Sequence, residues 1–315
     1  MSFSVCVVCS EQPAIVSRFV TYYLEQGAEQ VFVYLDEGAP DPSLPPDAKL
    51  KVVSCAELLE SRGLSRRPQY IEEVQITAYG HAFETFSAEW LLVCDIDEFV
   101  ACPGRITDRL SQLPADWQFA ILPVAEAVWG PGDPKFEPFG CSYFRTKAHK
   151  GLGRAQSRIL YGQNGRFLVA GLVGHCFGKY FVRKDAPVTS LGIHRPESAA
   201  PLKGGATHDI RATSELFLYH FDAISYDRWH TKWLGRLEKT RDSNAFQFNK
   251  GTQLYIQAFE RAQDPEARKR LFSSLYEINK RQARFLTLVG QLRRKHLWEN
   301  SPDARRLIDK GAFKG

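Results

Sequence analysis

A chain of 315 residues with 44% hydrophobic content is long enough for one large α/β domain with an extension, or for two domains. A net charge of +5 permits an anionic ligand or membrane surface without requiring either, and no apolar run reaches the length of a membrane-crossing helix. Seven cysteines scattered from Cys6 to Cys176, and an N-terminus lacking a basic start and a small-residue cleavage site, point to a reducing, cytoplasmic setting rather than a disulfide framework.

The first predicted element is a buried strand, Phe3 to Cys9, rich in β-branched residues. Cys6 and Cys9 have CxxC spacing, but residues three apart on a strand point to opposite faces, so they are not expected to share a metal. Ser10-Glu11-Gln12-Pro13 breaks the strand; Ile15, Phe19, Tyr22 and Tyr23 follow at helical spacing until Gly27. Val31 to Leu35 is a second strand ending at Asp36, and Leu50 to Val53 a third. Strand-helix-strand alternation implies a parallel sheet, which places the Ser10-Glu11 and Asp36 loops on one sheet edge. A helix from about Gln69 to Phe86 carries Ile71, Val74, Ala78, Ala82 and Phe86 as its apolar stripe, with Gln75, Tyr79 and His81 beside it.

That helix leads into Trp90-Leu-Leu-Val-Cys-Asp-Ile-Asp-Glu-Phe99, the most informative stretch of the chain. A short apolar run reads as a strand buried on both faces, and acids at the carboxyl end of such a strand stand where open α/β sheets bind ligands. Continued alternation places Asp95 and Asp97 on one face, about 7 Å apart, where two carboxylates call for a cation such as Mg²⁺ or Mn²⁺ completed by substrate phosphates. A short helix (Ile106, Leu110, Leu113), a strand from Phe119 to Val124 and a glycine- and proline-rich loop from Trp129 to Gly140 follow, and a loop that long is usually functional. Arg145, Lys147, Lys150, Arg154 and Arg158 cluster after it and suggest an anionic acceptor. Leu216 to Phe221 is a last apolar run, ending in Tyr219-His220-Phe221.

Beyond Trp233 the chain turns helical, with segments expected over Thr252 to Gln263 and about Pro265 to Trp298. Between Arg261 and Lys310 there are thirteen Lys or Arg against six acids, so this tail is a candidate surface for anionic lipid or for another subunit. No nucleic-acid motif is present.

In four segments the chain resembles the GT-A fold glycosyltransferases of the family 2-like group related to family 92. They are Val5 to Glu11 with Arg18-Phe19 and Tyr22 to Gly27; Val31 to Asp36; Gln75, Ala78, Tyr79 and His81 with the Asp-x-Asp-Glu-Phe segment; and the later blocks Lys179 to Arg183, Gly192-Ile-His194 and Tyr219 to Phe221 with Ser225 and Lys232. Ser10 stands where that family has Asn, and Arg18 where it often has Glu. The resemblance covers residues 3–236. It implies a GT-A domain over 1–236, with a nucleotide-sugar half over 1–100 and an acceptor half over 101–236, followed by a basic helical extension over 237–315.

What the resemblance implies is metal-dependent, inverting transfer of a sugar from a nucleotide sugar, expected to be a UDP-sugar, to a glycan or glycolipid in bacterial surface polysaccharide or related assembly. The enzyme would work in the cytoplasm or at the inner membrane face. Mn²⁺ or Mg²⁺ would be held by Asp95, Asp97 and a late histidine, His220 or in reserve His194. Ser10, Glu11, Asp36, Gln75, Asp95 and Lys232 would meet the donor, and Trp129, Arg145 and Lys147 the acceptor. An inverting transfer also needs a general base, for which Asp133, Asp185 and Asp209 are candidates. Two other classes compete. A metal-dependent phosphohydrolase also uses a strand-terminal Asp-x-Asp, but the acids here follow several strands. A non-catalytic basic membrane-surface protein would leave Asp95 and Asp97 unexplained.

Overall fold

The computed structural model describes residues 1–36, 44, 47–134, 137–148, 153–174, 176–205, 216–242 and 250–300. Strands in the first part of the chain are Phe3–Cys9 (β1), Val31–Leu35 (β2), Leu50–Ser54 (β3), Trp90–Val93 (β4), Glu98–Ala101 (β5), Phe119–Ile121 (β6) and Val124–Val128 (β7). They continue as Tyr143–Thr146 (β8), Tyr180–Arg183 (β9), Ser190–Leu191 (β10), Pro196–Glu197 (β11), Gly204–Gly205 (β12), Phe217–His220 (β13) and Leu292–Arg294 (β14). The α-helices are Pro13–Glu25 (α1), Cys55–Ser61 (α2), Ile71–Thr85 (α3), Ile106–Leu110 (α4), Gly153–Tyr161 (α5), Tyr226–Asp242 (α6), Lys250–Arg261 (α7), Pro265–Tyr276 (α8) and Lys280–Leu288 (α9).

The fold is mixed α/β, as expected, and divides into two compact units that each draw on separated stretches of chain. Residues 1–123, 177–218 and 297–315 form the first, and residues 124–176 and 219–296 the second. The division differs from a boundary at residue 236. The C-terminal helices α7, α8 and α9 belong to the same unit as the long Trp129 loop instead of forming an appendage.

In the first unit a seven-stranded sheet runs in the order β12-β6-β9-β4-β1-β2-β3. β1 pairs in parallel with β2 and β4, and β2 with β3, in a register that sets Cys9 beside Leu35 and Cys6 beside Val93. The Ser10, Asp36 and Cys94 ends therefore emerge on one edge, as the alternation of elements predicts. β9 runs the other way, pairing antiparallel with both β4 and β6, and sets Tyr180 opposite Val93. Every residue of β1, β2 and β4 is buried, so these strands read as continuous apolar runs rather than alternating ones. Cys6, Val8, Phe32, Tyr34, Leu91 and Val93 pack with Leu58 and Leu59 of α2 and Val74, Ala78 and Ala82 of α3 in one core.

In the second unit β7 and β8 form an antiparallel ladder extended by β14 on the far side of β8, while β13 flanks β7. The strand expected over 119–124 is two strands in two units, because the break at Leu122-Pro123 ends β6 before β7 begins. The helix expected from Pro265 to Trp298 is likewise interrupted. Asn279 makes a capping box with Gln282 that starts α9 afresh, and Gly290, at φ +69, ends it before β14. On these helices Phe259, Phe272, Leu275, Tyr276 and Leu286 are buried, while Leu288 is exposed. No described helix is long and apolar enough to cross a membrane.

Candidate active site

The acid stretch sits at the carboxyl end of β4, the strand flanked by β1 and β9. One expectation is corrected here. Asp95 and Asp97 do not alternate along a strand, because β4 ends at Val93 and Ile96-Asp97 form a turn that leads into β5. Glu98 closes that turn twice: its backbone N–H donates to the Asp95 carbonyl at 3.1 Å, and its carboxylate accepts the Asp95 N–H at 2.7 Å. With 5% of its surface exposed, Glu98 is a brace for the turn.

The exit strand is anchored from α1. Tyr23 donates its hydroxyl to the Glu98 carbonyl at 3.0 Å and accepts the Val100 N–H at 3.1 Å, while Tyr22 donates to the Val100 carbonyl at 2.8 Å. Phe99 lies among Phe19, Tyr22, Tyr23 and Trp298, with ring centroids 5.1–6.3 Å away. The Glu-Phe pair thus combines a turn closure and an apolar anchor. Burial drives the Tyr23 hydroxyl and the Cys94 thiol beside it well above their ordinary pKa values, so both stay protonated.

Asp95 keeps 37% of its side chain exposed, and its Oδ1 accepts from two donors. Gln75 of α3 reaches it with Nε2 at 3.2 Å, and Lys179 with Nζ at 3.0 Å. The resemblance implied that Gln75 meets the donor and gave Lys179 no role. Lys179 directly precedes β9, and because β9 runs antiparallel to β4 its amino end lies beside the carboxyl end of β4. Its own backbone is held by the Leu122 N–H at 2.8 Å, and only 1% of its surface is exposed. Burial lowers the ammonium's pKa, but Asp95 and Glu98 outweigh it and push it up to about 12. A basic residue opening the apolar run Tyr180-Phe181-Val182 was the available signal.

On the same edge Asp36 does not stand open to a nucleoside. Arg67 grips both of its oxygens, Nε to Oδ1 at 2.8 Å and Nη2 to Oδ2 at 2.6 Å, and leaves the Asp36 side chain 6% exposed. Ser10 is exposed and Glu11 half-buried at the end of β1. Asp185 follows β9 at its far end, opposite the acid turn, and does not meet it. His194 is half-buried, 6.2 Å between ring centroids from Phe177.

The remaining predicted residues lie in the second unit. Trp129 is 2% exposed, its backbone tied to Tyr276 and Ile278 by hydrogen bonds of 2.7 and 2.8 Å. With Gly130 to Asp133 it walls an open cleft of about 520 Å³ completed by Ser273, Ser274, residues 277–280 and Gln282. Asp133, proposed as a base, has both oxygens engaged. Oδ2 accepts from the Gly130 and Ser142 N–H groups at 2.9 and 3.0 Å, and Oδ1 from the Ser142 hydroxyl at 2.5 Å, which makes it the staple of its loop.

Arg145 is corrected as well. Expected to face an acceptor, it is 1% exposed, with Nε and Nη2 on Glu126 Oε2 at 2.7 and 2.5 Å and Nη1 on the Leu275 carbonyl at 2.8 Å. Lys147, Arg154 and Arg158 are exposed, while Lys150 and Asp209 lie outside the described residues. Lys232 does not stand open to a donor: its Nζ is 2.8 Å from Asp222 Oδ1 and 3.0 Å from the Asp222 carbonyl. Asp222 also accepts from the Tyr276 hydroxyl. Burial raises the Asp222 pKa, but the charges of Lys232, His220 and Arg236 outweigh it and hold the carboxyl far below the usual range. A Cβ built at Gly174 would come within 3.1–3.2 Å of Glu126 Oε1, His220 Cε1 and Asp222 Oδ1, so a larger residue there requires those side chains to shift.

Of the predicted metal set, Asp95 is already engaged: its Oδ1 is shared by Lys179 and Gln75, and the described residues include no group of three or more His, Cys, Asp or Glu arranged for a metal. Glu126, Lys179 and Asp222 are the charged residues that sequence reasoning overlooked, each a single charge inside or beside an apolar run.

No protein-family profile matches the chain, and comparison with curated proteins yields no match. Among solved structures it is similar to glucosyl-3-phosphoglycerate synthase from Mycobacterium tuberculosis, crystallised with Mn²⁺, UDP and glucosyl-3-phosphoglycerate, at 13% identity and a TM-score of 0.29 over 58% of this chain and 57% of that one. A mycobacterial protein aligns at 12% identity and a TM-score of 0.31 over 58% and 54% of the two chains. Residues 1–349 of TarS from S. aureus align at 12% and 0.31 over 100% and 92%. The aligned region is little more than half the length of the two mycobacterial chains.

Proposed function

We propose that the chain is a glycosyltransferase that takes a sugar from a nucleoside diphosphate donor, with the diphosphate held at the Asp95 to Glu98 turn. The observation that carries this is the turn itself: a rigidly braced pair of aspartates at the carboxyl end of an interior strand, beside the loops that follow β1 and β2. Ligands of open α/β sheets bind at that edge. The resemblance of the Gln-helix and the Asp-x-Asp-Glu-Phe segment to family 2-like enzymes supports the same assignment.

The residues divide the work as follows. Gln75 orients Asp95, and Asp97, at the tip of the turn, faces the donor phosphates or ribose. Ser10 and Glu11 meet the nucleoside, and the Asp36–Arg67 pair forms the wall of that subsite. Charge that builds on the departing diphosphate needs positive charge close by and fixed in advance. Acceptor recognition is assigned to the second unit, to the cleft walled by Trp129 and to the exposed Lys147. The nucleoside is proposed to be uridine and the acceptor a glycan or glycolipid.

The test is a panel of nucleotide sugars assayed for slow donor hydrolysis, which needs no acceptor, alongside thermal shift with UDP, GDP and CMP. One nucleoside diphosphate is expected to raise the melting temperature, and Asp97→Asn to cut hydrolysis by about 100-fold at unchanged melting temperature. If no nucleotide stabilises the chain and no nucleotide sugar is hydrolysed, the proposal fails.

A further inference from the structure

We infer that Lys179 is the resident counter-cation of the acid turn and that Asp95 is its partner rather than a metal ligand, so that nucleotide binding by this chain does not require a divalent ion. The inference rests on the nucleotide-site reading above and deepens it.

Three observations carry it. First, the Nζ–Oδ1 distance of 3.0 Å is that of a charge-assisted hydrogen bond, and Gln75 Nε2 occupies the same oxygen at 3.2 Å. An ion coordinating that same oxygen at the usual distance of about 2.1 Å would stand against both donors, and anywhere on this carboxylate it would meet a like charge nearby. Second, Lys179 cannot readily yield the place. At 1% exposure it has no solvent to retreat into, and the register of β9 on β4 and β6 fixes its backbone on both sides. Third, a second acid is held at the same residue, since the Glu98 carboxylate accepts the Asp95 N–H at 2.7 Å. A lysine held this way is a fixed, pre-oriented charge at the strand end where a diphosphate would bind, and such a charge needs no reorganisation when the leaving group departs.

The chemistry predicts what happens when the lysine is removed. Lys179→Met keeps the length of the side chain and deletes the charge. The Asp95 carboxylate then lacks its cation, and a hard divalent ion is the natural replacement. Mn²⁺ alone, with no nucleotide present, is titrated into the full chain and its free fraction followed by electron paramagnetic resonance. The wild type is expected to bind Mn²⁺ weakly and Lys179→Met at least tenfold more tightly. Asp95→Asn, which keeps an oxygen for Lys179 and Gln75, is expected to stay within threefold of the wild type. Equal Mn²⁺ affinity of Lys179→Met and wild type, or a tenfold loss in Asp95→Asn, would overturn the inference. Should Lys179→Met fail to fold by circular dichroism, the Asp95→Asn titration decides alone. In a parallel arm, UDP is titrated in the presence of EDTA and of Mn²⁺. Equal affinity supports the inference, and binding seen only with Mn²⁺ overturns it. Absence of UDP binding under both conditions sinks the nucleotide-site reading instead and leaves the Mn²⁺ titration to stand by itself.

Discussion

The two units each place a basic side chain on an acid, and they do so to opposite ends. In the second unit Arg145 and Glu126 are both sealed, each 1% exposed as side chains, and Glu126 also accepts the Val173 and Gly174 N–H groups at 3.1 and 2.6 Å. Every partner there is internal, so the pair locks β7, β8 and the 173–174 segment together and has nothing left for a ligand. In the first unit only the cation is sealed. Lys179 is buried, while its partner Asp95 keeps 37% of its side chain in solvent. Full enclosure makes an ion pair into architecture. One-sided enclosure makes it a pre-set charge with an open face, which is what a binding site needs.

The largest effect should come from breaking the sealed pair. Arg145→Ala leaves Glu126 buried without its counter-charge and is expected to cost about 3–5 kcal/mol in urea unfolding, since removing one partner strands the other. Loss of less than about 1 kcal/mol would mean that water reaches Glu126 and that the contrast between the units is overstated.

Acid should separate the units next. The buried carboxyl of Asp222 has a depressed pKa, so its contribution is complete above its unfolded value near 4 and is lost as the pH falls toward the folded one. Stability is expected to fall by about 1.4 kcal/mol for each pH unit below about 4, and Asp222→Asn should flatten that slope. A slope unchanged in the variant would remove Asp222 from the sealed network.

The smallest effect belongs to the pair that is open on its basic side. Arg67, with 38% of its side chain exposed, holds Asp36, and Arg67→Ala is expected to change stability by under about 1 kcal/mol in thermal unfolding. A loss comparable to that of Arg145→Ala would show that this pair, too, is structural.

Much of the first unit was legible in the sequence because its information is local. β1, α1, β2 and β3 follow from apolar runs broken by Ser10, Pro13 and Gly27, and helix α3 from its stripe of Val74, Ala78 and Ala82. Parallel order then placed the ends of β1, β2 and β4 on one edge without further information. Gln75 was singled out by the resemblance of its helix as a donor residue, and the structure sets its side chain on Asp95.

Local sequence pattern thus sufficed for the sheet, for the edge on which three strand ends emerge and for the acids that mark it. Periodicity reports which residues face a core, and strand polarity follows from alternation. Only the tertiary structure decided what each charge does. Lys179 meets Asp95 from 84 positions away, Glu126 meets Arg145 from 19, and Lys232 meets Asp222 from 10. Asp95 and Asp97 left the strand geometry expected of them because Glu98 folds back to close a turn. Asp133 and Arg145, read as chemistry, proved to be fully engaged inside their own unit. A charged residue looks the same in a sequence whether its partner is water, a ligand or a buried opposite charge. The partner is chosen by long-range packing, whose strength depends on burial, and burial is a property of the folded chain alone.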